Sequence, residues 1–256
     1  MTSNHHRTIE AGHKGQAKHV DEADHRGTLQ RRDDNECNDK VIELKDIRFS
    51  YGNGNVVLEG VNFQLLQGQR IGLTGSNGSG KTTLFHVIMG LLKPQSGEVT
   101  VFGKKRLKQE DFIDVRRRIG LLFQDSDDQL FCPTVLEDVA FGPLNLGMTH
   151  AEAMRVVTET CDLLGLSGFE DRLTHRLSGG EKRLCALATI AAMTPEVLLL
   201  DEPTAGLDAD SISRIVAFLN NYSMSHVIIS HEIDFLKEVT DGVFVLGSGN
   251  FHALDN

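Results

Sequence analysis

Residues 75–83 read GSNGSGKTT, that is Gly75, Ser76, Asn77, Gly78, Ser79, Gly80, Lys81, Thr82 and Thr83. The stretch fits the pattern G-x-x-x-x-G-K-[ST]. RIGLT before it reads as a strand, and TTLFHVIMGLL reads as a helix ended by Gly90, Pro94 and Gly97. A strand that feeds a helix through such a loop is a phosphate cradle, or P-loop. Gly75, Gly78 and Gly80 let backbone N–H groups wrap an anion with no Cβ in the way. The helix start adds partial positive charge. Lys81 supplies a point charge for the β- and γ-phosphates, and the Thr82 hydroxyl can hold Mg²⁺. A merely structural glycine turn has no need of the Lys81-Thr82 pair.

Outward from the cradle, EVLLLDEP (Glu196–Pro203) is an apolar strand ending in two carboxylates. Ligands of parallel sheets sit at the carboxyl ends of strands. Asp201 can therefore reach a Mg²⁺ shell, and Glu202 can polarise the attacking water. HVIIS ends beside His231, again a strand tip and a candidate γ-phosphate contact. LSGGEKR (Leu177–Arg183) sets Ser178, Gly179 and Gly180 at a helix start. By itself that turn fits an ordinary N-cap by Ser178. It equally fits a second anion-binding helix start, about a hundred residues after the first. One nucleotide hardly needs both from the same subunit.

The 256 residues suffice for one large domain. No apolar run reaches membrane-spanning length, and MTSNHHRTIEAGHKG lacks the apolar core of a secretory signal. The net charge of -10 argues against broad nucleic-acid binding. Cys37, Cys132, Cys161 and Cys185 are scattered without a CxxC pair, which suggests neither zinc nor a redox dithiol and fits a cytosolic protein.

Residues 1–40 hold few large apolar side chains and many charges, and are expected to be disordered. Their histidines (His5, His6, His13, His19 and His25) suit either a weak transition-metal site, such as one for Ni²⁺ or Co²⁺, or a disordered tail with chance histidines. From residue 41 to 256 the pattern is one α/β domain. VIELKDIRFSY and NFQLLQGQRIGLTG read as strands with a turn at Gly68, and GEVTVFG, RIGLLF, EVLLLDEP, HVIIS and GVFVLG as further strands. Residues about 133–190 read mostly as helices. The alternation predicts a mostly parallel sheet covered on both faces, with an antiparallel β-subdomain and a helical subdomain over about 125–185.

The order P-loop, Gln124, LSGGE, LLLDEP, AGLD (Ala205–Asp208) and Ser230-His231 resembles the ATP-binding cassette (ABC) family over residues about 41–248. The resemblance implies an ABC ATPase fold built on a P-loop NTPase core, with ATP and Mg²⁺ as cofactors. It implies that Tyr51 stacks on adenine and that Thr82, Asp201 and Gln124 face the metal. Gln124 would also link the attacking-water region to the helical subdomain. Two subunits, alike or different, would pair head to tail. Each ATP would then lie between Lys81 of one and Ser178-Gly179-Gly180 of the other, with Asp208 crossing the interface. DSDDQLFCPTVLEDVAFGPLNLG, after Gln124, resembles ATPases of energy-coupling-factor importers, especially the cobalt/nickel type. That implies docking to transmembrane coupling and substrate-binding subunits at the cytoplasmic face of the membrane. A vitamin-type importer and a non-transport ATPase of metallocluster assembly are the alternatives. Glu181 stands where the signature more often has Gln, and Glu232 where Asp is frequent after the histidine. The chain ends soon after GVFVLGSGNFHALDN, so no C-terminal dimerising extension is expected.

Overall fold

The computed structural model describes residues 40–254 except 53, 223, 248 and 249, so the expected disordered tail and its five histidines lie outside the described residues. β1 (Lys40–Ser50) and β2 (Val56–Leu66) bury alternate apolar residues, Leu44, Ile47 and Phe49 facing the interior from β1. They pair antiparallel. The chain turns at Gly68, whose φ of 75° a side chain would strain. This turn does not make a hairpin. β2 stays beside β1, while β3 (Arg70–Thr74) enters a second sheet.

The P-loop leads from β3 into α1 (Lys81–Ile88), which stops earlier than its apolar run suggests. At Gly90 the chain takes φ 66°, and a Cβ there would meet the Phe112 ring at 2.3 Å. β4 (Ser96–Val101), the short β5 (Lys104–Lys105), α2 (Ile113–Arg118) and β6 (Ile119–Leu122) follow. β4 and β5 complete the first sheet in the order β2-β1-β4-β5.

Three helices come next: α3 (Val135–Asn145), α4 (His150–Leu164) and α5 (Gly179–Ala191). Each starts with a reciprocal capping box, Thr134 with Glu137, Thr149 with Glu152 and Ser178 with Glu181. β7 (Val197–Asp201), α6 (Ala209–Asn221), β8 (Ser225–Ile229), α7 (Ile233–Val239), β9 (Gly242–Gly247) and β10 (Asn250–Ala253) close the fold. The second sheet runs β10-β9-β3-β8-β7-β6, and only β10 pairs antiparallel within it.

This second sheet divides the core. Val197 and Leu199 point from β7 into the cluster shared with β1, β2 and α1. Leu198 and Leu200 point the other way, into a cluster with α3, α4, α5 and α6. All five β7 residues are buried, as a central parallel strand covered on both faces requires. α3–α5 fall in the stretch read as helical. They have no separate core, because their apolar faces merge with the far side of the sheet. Among the described residues no helix is long and apolar enough to cross a membrane. β3, β6, β7 and β8 run parallel, so their carboxyl ends gather along one edge.

Candidate functional site

At that edge the P-loop closes tightly. Gly75 has φ 143°, and a Cβ there would lie 2.6 Å from the Leu246 carbonyl oxygen. Gly80 has φ 98°, and its Cβ would lie 2.7 Å from Leu58. These two positions admit only glycine for steric as well as conformational reasons. Lys81 is buried, and its Nζ donates to the carbonyls of Gly75 (2.9 Å) and Ser76 (3.1 Å). Burial pulls its ammonium below the ordinary lysine value, while Glu202 and Asp201 pull it back. The buried Ser79 hydroxyl has no protein partner. Tyr51, the expected adenine platform, is exposed, stands edge-on to Phe49 and hydrogen-bonds through its hydroxyl to Thr83 Oγ1 at 3.2 Å.

Thr82 Oγ1 donates to Asp201 Oδ2 at 2.6 Å, tying the first turn of α1 to the tip of β7. Burial pushes the Asp201 carboxyl above its ordinary value, against the Thr82 bond and Lys81. Glu202, the next residue, has φ 50°, uncommon for a residue with a Cβ. Its N–H is held by the Ile229 carbonyl at 2.8 Å. Strain of this kind persists where the surroundings over-determine the backbone, and it clusters at functional sites. Burial also raises the Glu202 carboxyl, and the main opposing influence is His231. His231 Nε2 lies 3.4 Å from Glu202 Oε1. The strand tips therefore bring together Lys81, Thr82, Asp201, Glu202 and His231.

Gln124 joins the same group from β6. It lines a cleft of about 520 Å³ with Thr82, His86, Asp125, Asp128 and Asp201. Two side chains here escaped the sequence reading. His86, one helical turn after Thr82, borders the cleft beside the Phe123 ring and has its basicity lowered by burial. The Thr82–His86 spacing was the available signal for it. Arg183, on α5, donates to the carbonyls of Phe123 and Gln124, each at 2.6 Å. It gave no signal, because its partners are about 60 residues away in sequence.

Among the described residues, Ser178, Gly179 and Gly180 make no side-chain hydrogen bond to this constellation. The Ser178 hydroxyl accepts from the Glu181 N–H at 3.3 Å, and the Ser178 N–H donates to the Glu181 carboxylate at 2.7 Å. Arg172 braces that carboxylate at 3.1 Å. Gly180 faces Leu207, and a Cβ there would lie 3.2 Å from Leu207 Cδ2. Asp208 caps α6 by accepting from the Ser211 N–H at 2.7 Å. Within one subunit, then, Ser178 and Asp208 each serve as N-caps, and the turn at Ser178–Gly180 leans on the segment that carries Asp208.

The residues present suit ATP and Mg²⁺. Ser79 offers an unpaired buried hydroxyl inside a loop that a Cβ would obstruct at Gly75 and Gly80. Thr82, Asp201 and Gln124 offer hard oxygen donors, which Mg²⁺ prefers. The described thiols, Cys132, Cys161 and Cys185, lie outside this chemistry. Burial raises Cys132 to about 11 and Cys161 and Cys185 to about 12, too high for reactive thiolates.

A family model described as ABC transporter matches residues 58–205. The energy-coupling factor transporter ATP-binding protein EcfA of Methanothermobacter thermautotrophicus is 45% identical over 217 residues, 83% of this chain and 70% of that protein. The structure of cbiO1 from Clostridium perfringens, part of the ABC transporter complex cbiONQ, aligns with a TM-score of 0.74 at 34% identity over 84% of this chain and 87% of that one. A dimeric post-hydrolysis state of the ATP-binding cassette MJ0796, bound to ADP and Pi, aligns with a TM-score of 0.77 at 26% identity, covering 84% and 99% of the two chains.

Proposed function

The chain belongs to the ABC transporter ATP-binding family and is an ATPase of the energy-coupling-factor type; from that premise we propose that it powers membrane import of a divalent transition-metal cation, Ni²⁺ or Co²⁺. The observation that carries the enzymatic part is the 2.6 Å bond from Thr82 to Asp201, with Glu202 next in sequence and His231 3.4 Å from it. It unites a phosphate cradle, a metal-binding carboxylate and a proton acceptor at one edge.

Lys81 holds the β- and γ-phosphates, and the P-loop N–H groups share their charge. Thr82, Asp201 and Gln124 would hold Mg²⁺, which when bound would offset phosphate charge and orient the transferred group. Glu202 accepts the proton of the attacking water, and His231 steadies the γ-phosphate beside it. Two subunits pair head to tail, so that Ser178, Gly179 and Gly180 of one close over the nucleotide held by Lys81 of the other. The dimeric state of a similar ATP-binding cassette supports the pairing of two subunits.

The metal substrate is supported by the resemblance of the segment after Gln124 to cobalt/nickel importers and by the likeness to a subunit of the cbiONQ complex. That segment exposes Phe131 (66%) and Phe141 (47%), which stand edge-to-face at 4.7 Å beside Asp125, Asp127 and Asp128. An apolar centre with a charged rim suits docking of membrane subunits, and docking would hold the protein at the cytoplasmic face.

Two experiments test this. Removing one oriented group from such a site costs on the order of 10²–10³ in rate, so Glu202→Gln is expected to slow ATP turnover by at least that factor; unchanged turnover would reject Glu202 as the base. In a strain lacking the protein, Ni²⁺ or Co²⁺ uptake is expected to fall and to return on complementation. Unchanged uptake of both ions, with loss of a vitamin instead, would replace the metal reading.

A further inference from the structure

Arg183 is only 5% exposed, yet no carboxylate is within ion-pair distance of it among the described residues. Its close partners are two backbone carbonyls, of Phe123 and Gln124, both at 2.6 Å. Burial lowers its basicity, and the carboxylates that offset this are Asp201, Asp125 and Glu202. A buried cation is costly unless its setting compensates it. Here the compensation comes from the ATP-site carboxylates and the carbonyls of the glutamine segment.

Two other contacts lay the same segment along α5. Gln129 Nε2 donates to the Ala186 carbonyl (2.8 Å) and Thr189 Oγ1 (2.9 Å), while its Oε1 accepts from the Phe123 N–H (3.2 Å). Lys182 pairs with Asp127 at 2.5 Å on the surface. Positions 182, 186 and 189 make one stripe of the helix. Arg183 alone among these contacts reaches Gln124. It also lies three and four residues after Gly180 and Gly179, on the same face as that helix start.

We propose that Arg183 is a positioning residue that couples the subunit's own ATP site, through the Gln124 backbone, to the Ser178–Gly180 turn that closes over the partner's nucleotide. The proposal rests on the head-to-tail reading above. A displacement of Gln124 pulls on Arg183, and Arg183 transmits it to the start of α5. Each subunit thereby reports the state of its own pocket to the pocket it completes next door.

The test uses the full chain carrying Glu202→Gln, which slows hydrolysis and lets Mg-ATP-driven dimerisation be followed by sedimentation. Adding Arg183→Met is expected to raise the ATP concentration needed for dimerisation at least ten-fold. Binding of a fluorescent ATP analogue to the separate subunit should stay within two-fold, because Lys81 and the P-loop are untouched. A residue that only stabilised the fold would lower the melting temperature and weaken both readouts together. Arg183→Lys keeps the charge and one donor and is expected to recover part of the loss. If the methionine variant fails to fold, Arg183→Gln, which loses the charge but stays polar, replaces it, and its dimerisation at the parent's ATP concentration would overturn the proposal. Lys182→Ala, which removes only the exposed pair, should match the parent. If the parent dimerises and Arg183→Met does so at the same ATP concentration, Arg183 has no coupling role. If the parent itself does not dimerise, the head-to-tail reading falls, and the coupling with it.

Discussion

Glu202 combines a strained φ of 50°, a partly buried carboxyl raised above its ordinary value and a histidine at 3.4 Å. An acid whose folded pKa is raised holds its proton more tightly when folded. Its stabilising contribution is therefore full below the unfolded value and is lost as pH rises through the folded one. Glu202→Gln removes the burden of a partly desolvated anion, so the variant is expected to melt above wild type at neutral pH. That gain should shrink as pH falls into the ordinary carboxylate range. Scanning calorimetry at two pH values checks this, and a gain independent of pH would show that Glu202 is not a buried anion in the folded protein. The grouping of these side chains was readable because they sit at fixed offsets: Lys81-Thr82 after Gly80, and Asp201-Glu202 at the end of VLLLD. Arg183 was not readable. An arginine on a helix reads as a solvated charge until the fold brings two carbonyls against it.

Elements were legible where their patterns were long or their caps explicit. T-x-x-E at Thr134 and Thr149 and S-x-x-E at Ser178 each mark a helix start that the structure contains. Short elements escaped: β5 has two residues, α2 six, and β10 four, too few for a period to declare itself. Gly68 reads as a turn locally, but pairing across sheets is decided by distant strands. Two glycines separate conformational cost from packing cost. Gly147 has φ 95° and open space around a would-be Cβ, whereas Gly90 has φ 66° and the Phe112 ring at 2.3 Å. Gly147→Ala is expected to cost about 1–2 kcal/mol from left-handed backbone strain alone. Gly90→Ala should cost about 1–3 kcal/mol more for the clash. Urea denaturation of the two variants measures the difference. Equal losses would mean that the α1 end and Phe112 separate without cost.

At the scale of the molecule, the parallel sheet gathers Lys81, Thr82, Asp201, Glu202 and His231 on one edge, and α5 carries Ser178–Gly180 at a different place on the same subunit. On the proposed head-to-tail reading, a chain that carries one cradle at Lys81 and a separate helix start at Ser178–Gly180 is incomplete alone. The measurement that bears on this most directly is sedimentation of Glu202→Gln, and of Glu202→Gln with Ser178→Arg, each with and without Mg-ATP. The first variant is expected to become a dimer only with Mg-ATP. The second should stay monomeric while still binding nucleotide at Lys81, because the added side chain blocks the neighbour's phosphates. Nucleotide-driven dimers of both variants, or of neither, would contradict a pocket shared between two subunits.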